Sequence, residues 1–311
     1  MFKKIVEPHY PKAAVGLRRE GISVVSVQKQ GRSFALRRAA TVDLPAGVLQ
    51  PSFNEANIAE PQELLAAMRE AATSAGLQTQ KRWSASLPAD SARMSILTLE
   101  VAPKTKKELS EVLNWKAERS FGVRPEELRL AIQPLSPDAS KRPRYFVVAV
   151  RLDVLAEYDE LFENLGWQVG LVLPRHLSEA QWLTLSKSSK LLGDSLLVSS
   201  QADGFAAMLF RAGQPAVVRS VMCEPEERED ELYRLLLFYR DRLASEHTAL
   251  DRFLLIGEDF AAERLSEITN ETLGYDTKIL RPEDIGFLWQ DDALRFDDIA
   301  APAALASLAL R

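Results

Sequence analysis

The sequence predicts an α/β protein built from two duplicated lobes, with an inserted α+β unit and a reduced second lobe. Three observations carry that expectation. Residues 15–44 and 196–223 repeat one design, strand, turn, strand, turn, strand, punctuated by Gly21 and Gly31 in the first copy and by Gly204 and Gly213 in the second. Helical spacing and short apolar strands alternate over the rest of the chain. At 311 residues the chain is long for one core, which favours two lobes.

The elements follow in order. After the first meander, residues 51–60 form a polar connector, and 61–76 carry Leu64, Leu65 and Met68 on one helical face, with Gly76 as a stop. Residues 83–87 read as a strand ended by Pro88, and 94–101 as a half-buried strand. Thr105 and Glu108 have capping-box spacing and open a helix with Leu109, Val112, Leu113 and Ala117 on one face, closed at Phe121-Gly122. Strands at 127–135 and 145–151 flank a Pro/Ser-rich turn at 136–143. A helix at 152–165, a strand at 167–173 and a helix at 174–188 come next. The second meander leads into an acidic start at 224–231 and a helix bearing Leu232, Leu235, Leu236, Tyr239 and Leu243, with Arg240 and Arg242 near its end as the helix dipole favours. A strand at 252–256, a helix at 260–273, a strand at 275–280 and a terminal helix at 299–310, with Pro302 suited to its first turn, complete the chain. The expected division is 1–93 with 174–193 and 299–311 as the first lobe, 94–173 as the inserted unit, and 194–298 as the second lobe.

Composition excludes several functions. A net charge of −5 argues against general nucleic-acid binding. The basic clusters Arg37-Arg38 and 104–107 read as solvated surface. Cys223 is the only cysteine, so no intramolecular disulfide forms, in keeping with a reducing compartment. The N-terminal residues lack a signal peptide's apolar core, and no apolar run approaches the ~20 residues of a membrane helix. A soluble, cytoplasmic protein is expected, one that reaches a membrane only through a partner.

No catalytic or metal pattern stands out. His9, His176 and His247 fit no ligand spacing, and no GxSxG, HExxH, P-loop or GxGxxG occurs. Asp203-Gly204 reads as a turn dipeptide, Asp291-Asp292 and Asp297-Asp298 as solvated loop pairs, and Trp115 and Tyr239 as packing residues on helices.

This organisation resembles the actin-like fold, and within it the PilM family of type IV pilus assembly proteins, with FtsA more distant. Residues 15–27 look like the family's phosphate-binding strand pair "VGLDIGSSSVKAVEL", and LPAGVLQPS at 44–52 resembles the "LPxGxVxxG" that follows. Residues 94–135 are similar to "LP…EL..AV.WEAE..IPFP.EEV.LDYQVL", the most specific match, and 145–183 look like the end of the family's extra subdomain. The second meander, RFLLIGEDF and the terminal AALASLALR resemble the later strands, the adenosine loop and an "ALGLALR" ending.

The resemblance implies an ATP and Mg²⁺ site, and this chain departs from it at each motif. The first phosphate turn has Arg18, Arg19 and Glu20 where the family has Asp and small residues. The second has Ser199, Ser200 and Gln201 where Asp and Gly are expected. Only Gly257 remains of the adenosine loop's glycines, followed by Glu258-Asp259, and Cys223 leads to the next helix without the adenine-side subdomain. Phosphoryl transfer depends on positioning and charge neutralisation, and the parts for both are absent. A pseudo-ATPase with no catalytic residue, cofactor or metal is therefore expected, over an ATPase in which Arg18 and Arg19 hold phosphate directly. By resemblance the partner is the cytoplasmic tail of a PilN-like inner-membrane protein, lying in a groove between Val24, Val25, Ser26 and Val27 and the 94–173 unit. A homo-oligomer is compatible with the resemblance, and a type II secretion platform is the alternative setting.

Overall fold

The computed structural model describes residues 10–185, 193–201, 203–244, 248–257, 260–289 and 293–311. It divides into two compact units, Met1–Ser91 with Ala156–Lys187 and Pro282–Arg311, and Ala92–Leu155 with Ser188–Arg281.

In the first unit, β1 (Ala13–Arg18), β2 (Gly21–Gln30) and β3 (Ser33–Asp43) form the antiparallel meander. Helix α1 (Pro61–Ser74) packs on β2 and β3, and β4 (Arg82–Leu87) joins β1 in parallel. The unit boundary falls inside a later helix, Leu152–Asn164. The adjacent residues Val24 and Val25 project to opposite faces of β2 and are both fully buried, so this sheet is covered on both sides.

In the second unit, β5 (Arg93–Thr98), β6 (Leu128–Leu135) and β7 (Arg144–Arg151) make an antiparallel sheet in the order β5-β7-β6. Helix α2 (Lys106–Phe121) belongs to this sheet, with Leu113, Ala117 and Phe121 buried at four-residue steps. Its start is the expected cap: Thr105 Oγ1 accepts the Glu108 N–H at 3.1 Å, while the Glu108 carboxylate accepts the Lys104 N–H at 2.7 Å. Gly122, left-handed at φ 73°, ends it. Trp115 departs from the packing expectation: it is 53% exposed, with the Arg119 guanidinium stacked 5.0 Å from its ring.

The first unit resumes with α3 (Leu152–Asn164), β8 (Gln168–Pro174) and α4 (Arg175–Leu185). The strand expected to complete the inserted unit lies elsewhere: β8 runs parallel to β4 in the first sheet, and Trp167 beside it stacks on the buried Trp83 at 4.2 Å. Pairing there lets β4 bond on both edges, and the aromatic stack fixes the choice.

The second unit continues with β9 (Asp194–Gln201), β10 (Gly204–Arg211) and β11 (Gln214–Met222). The single short helical turn Pro225–Glu227 then connects β11 to α5 (Arg228–Arg242). β12 (Leu250–Ile256), α6 (Ala262–Leu273) and β13 (Lys278–Leu280) follow, and the sheet order is β11-β10-β9-β12-β13. Leu232, Leu236 and Tyr239 of α5 and Leu265 and Ile268 of α6 join Phe205 and Phe253 in its core.

The chain returns to the first unit with β14 (Phe287–Leu288) and α7 (Phe296–Leu308). β14, expected to lie within the second lobe, pairs in parallel with β3, giving the order β14-β3-β2-β1-β4-β8. The ring of Phe287 explains this, because it is fully buried against Trp182 at 5.1 Å. Helix α7 starts earlier than expected, so Asp297 and Asp298 form its first turn and not a loop, and Pro302 lies inside it. Acidic residues suit that end of a helix dipole.

The series β3-β2-β1-β4-β8 and β11-β10-β9-β12-β13 have the same order and the same strand directions, antiparallel twice and then parallel twice. The duplication read from two meanders therefore extends through five strands. This is the actin-like architecture.

Candidate functional site

The first phosphate-turn position is a two-residue hairpin, Arg19-Glu20, between Arg18 and its partner Gly21. Leu44 N–H donates to the Glu20 carbonyl at 2.8 Å and holds the turn to the end of β3. The Arg18 guanidinium pairs with the Asp298 carboxylate of α7 at 2.6 Å, each side chain being 18% exposed. Burial draws the Arg18 pKa down, offset in part by Asp298. Arg175, close enough to repel Arg18, is matched by Glu179, fully buried, through an Nε–H donation at 2.8 Å.

Gly16 lies two residues before Arg18 under the same helix. A Cβ there would meet Pro302 Cδ at 2.9 Å and Ser23 Oγ at 2.9 Å. The glycine admits α7 onto β1, and that close approach brings Asp298 to Arg18. Beside the turn, Arg19 and Glu20 share with Leu44, Leu49, Pro51 and Glu55 the lining of a depression of about 700 Å³.

The second turn position belongs to the other unit. Ser199 is fully buried, and its Oγ and that of Ser200 have no hydrogen-bond partner among the described residues. The Gln201 carbonyl accepts from Arg228 Nη2 at 3.0 Å. Gly257 has φ +127°, and a Cβ on it would lie 2.0 Å from Ser200 Oγ. A local steric cause therefore requires glycine at 257, whatever loop it descends from. Gly204 has the same kind of cause, at φ +134° with the Val221 carbonyl oxygen 2.0 Å from where its Cβ would stand. Glu258 and Asp259, like His9, His247, Asp291 and Asp292, lie outside the described residues.

Val24, Val25, Ser26 and Val27, expected to border a partner groove, sit in the middle of the first sheet. All four pair with β3, Val24, Val25 and Ser26 pair with β1 as well, and their side chains are buried. From Val24 to Ser26 that strand is paired on both edges, because the meander places it between its two neighbours, and this stretch leaves no free edge for backbone pairing.

His176 is buried on α4, and desolvation, followed by repulsion from Arg175, pulls its pKa down to about 4. The connector after β3 is held by Asn57, whose Nδ2 donates to the Ser52 and Glu55 carbonyls and whose Oδ1 accepts from Tyr158 at 3.0 Å. Glu157 accepts the Asn57 and Ile58 N–H groups, each at 2.8 Å. Asn57, Glu157 and Tyr158 carry no signal in the sequence, because each acts through partners brought in by tertiary packing. Among the described residues, no cluster of three His, Cys, Asp or Glu side chains has the arrangement of a metal site, and no helix is long and apolar enough to cross a membrane.

No protein-family model matches the chain, and no curated protein matches it. Solved structures do. The structure of a PilM–PilN type IV pilus biogenesis complex superposes with a TM-score of 0.77 at 18% identity, covering 98% of this chain and 100% of that one. The cytoplasmic domain of EpsL, an inner-membrane component of the type II secretion system of Vibrio cholerae, superposes with a TM-score of 0.50 at 12% identity, covering 96% and 93%. The likeness to the pilus protein runs the length of both chains, and the fold resembles that of PilM.

Proposed function

We propose that this protein is a scaffold of an inner-membrane assembly platform, cytoplasmic and peripheral to the membrane, that binds the N-terminal tail of a PilN-like membrane protein without hydrolysing ATP. The observation that carries the platform reading is the end-to-end superposition on PilM, a protein solved in complex with PilN. The Arg18–Asp298 ion pair supports the pseudo-ATPase reading. A phosphate arriving at that turn would meet a guanidinium already neutralised, with Asp298 and Glu20 beside it to repel it. The residues at this turn do not fit ATP·Mg²⁺, and the scaffold works by binding alone.

The test is a pair of calorimetric titrations on the full chain, one with ATP·Mg²⁺ and one with the N-terminal tail peptide of a PilN-like protein from the same organism. Binding of the peptide with no heat from ATP is the expected result. Micromolar ATP binding would overturn the pseudo-ATPase reading, and silence toward the peptide would overturn the partner. A neighbouring gene set of secretion type rather than pilus type would move the same scaffold to a type II secretion platform, a setting that the EpsL superposition favours as the second reading.

A further inference from the structure

The register of β2 against β3 slips at one point. Ser26 pairs with Arg38 and Val27 with Leu36, so Arg37 has no partner. An extra residue in one strand is a β-bulge, and it breaks the rule that neighbouring side chains point to opposite faces. Here it lets Arg37 and Arg38, adjacent in sequence, line one pocket of about 240 Å³. Lys12, just ahead of β1, lines it as well. Ala13, Val27 and Leu77 are its buried apolar residues, and Thr79 and Gln80 add a hydroxyl and an amide.

Three cations line this pocket and no carboxylate does. Among the described residues, none of the three forms an ion pair. The Arg38 guanidinium is steadied by donating to the Gly76 carbonyl at the end of α1. Three like charges held together repel one another, and an anion between them relieves that repulsion. Two guanidiniums match the oxygens of a phosphate group by paired N–H donation, and the lysine adds a point charge. The geometry points to a binding site for a phosphate group, carried by a soluble phosphate ester or by a phospholipid headgroup. This site lies apart from the first phosphate turn and does not rest on the scaffold reading.

The experiment uses the full chain at low ionic strength. Glycerol 3-phosphate is titrated calorimetrically, and flotation is measured with phosphatidylcholine vesicles with and without phosphatidylglycerol. Saturable binding to the ester, or flotation that needs the anionic lipid, is expected, and the arm that responds identifies the source. Arg37→Gln should weaken the responding arm by about tenfold or more. The Arg37 side chain is exposed and makes no hydrogen bond among the described residues, so the variant's melting temperature should match the parent's. Lys12→Gln, just ahead of β1, should weaken the same arm. Lys104→Gln with Lys107→Gln, which removes two charges from the other basic cluster, should leave it unchanged. No binding in either arm, binding indifferent to both Arg37→Gln and Lys12→Gln, or equal loss in the Lys104/Lys107 variant would overturn the site.

Discussion

Arg18 was legible in the sequence as a departure, an arginine where a phosphate-binding turn needs small or acidic residues. Its partner was not, because Asp298 is distant in the chain and reads as half of an acidic loop pair. Only the packing of α7 on β1 brings the two to 2.6 Å. Removing one member leaves the other poorly solvated, at a cost of roughly 1–3 kcal/mol for sites this far buried. Arg18→Met and Asp298→Leu alone should each lower urea-unfolding stability by that order. The double variant should recover part of the loss, and strictly additive losses would show that the pair is not coupled. His176 supplies a pH test. Its folded pKa, about 4, lies below the unfolded value of about 6.5, so between these values the unfolded chain binds the extra proton. The contribution is therefore full above pH 6.5 and is lost as pH falls toward 4. It amounts to about 2 kcal/mol between pH 7 and pH 5. Replacing His176 with Leu should flatten that part of the stability–pH curve, and an unchanged slope would refute the assignment.

At the scale of elements, local signals were read well and pairings were not. The cap at Thr105 and the stop at Gly122 are short-range chemistry and stand where the sequence put them. The strand Gln168–Pro174 was legible as a strand, but the choice between β4 and the inserted sheet depends on Trp167 finding Trp83, which no local pattern encodes. The start of α7 was hidden because Pro302 suggested a first turn. Its ring instead occupies the space that Gly16 leaves. Gly16→Ala should push α7 from the sheet and destabilise the fold by about 1–3 kcal/mol, measured as a lower denaturation midpoint at unchanged slope. An unaffected midpoint would mean that the contact relaxes freely.

For the whole molecule, the duplication was legible from two meanders, because turn glycines and alternating strands recur in the same order in both. The matching of five strands in each sheet was not, since strand order is a property of the assembled sheet. A ligand that binds only the folded state raises its stability by about 2.7 kcal/mol at a hundred times its Kd. On the scaffold reading, millimolar ATP·Mg²⁺ should leave the melting temperature in place while the tail peptide raises it, and the reverse pattern would reject that reading. Each of the two duplicated sheets also carries one unpaired residue in its third strand, Arg37 in β3 and Ala216 in β11. In β3 that surplus is a matter of chain length. Deleting the codon for Arg37 would make the Ser26–Arg38 and Val27–Leu36 pairs successive rungs of an uninterrupted ladder. The remaining arginine would then share the pocket with Lys12 alone, so one codon separates a two-guanidinium pocket from an ordinary strand.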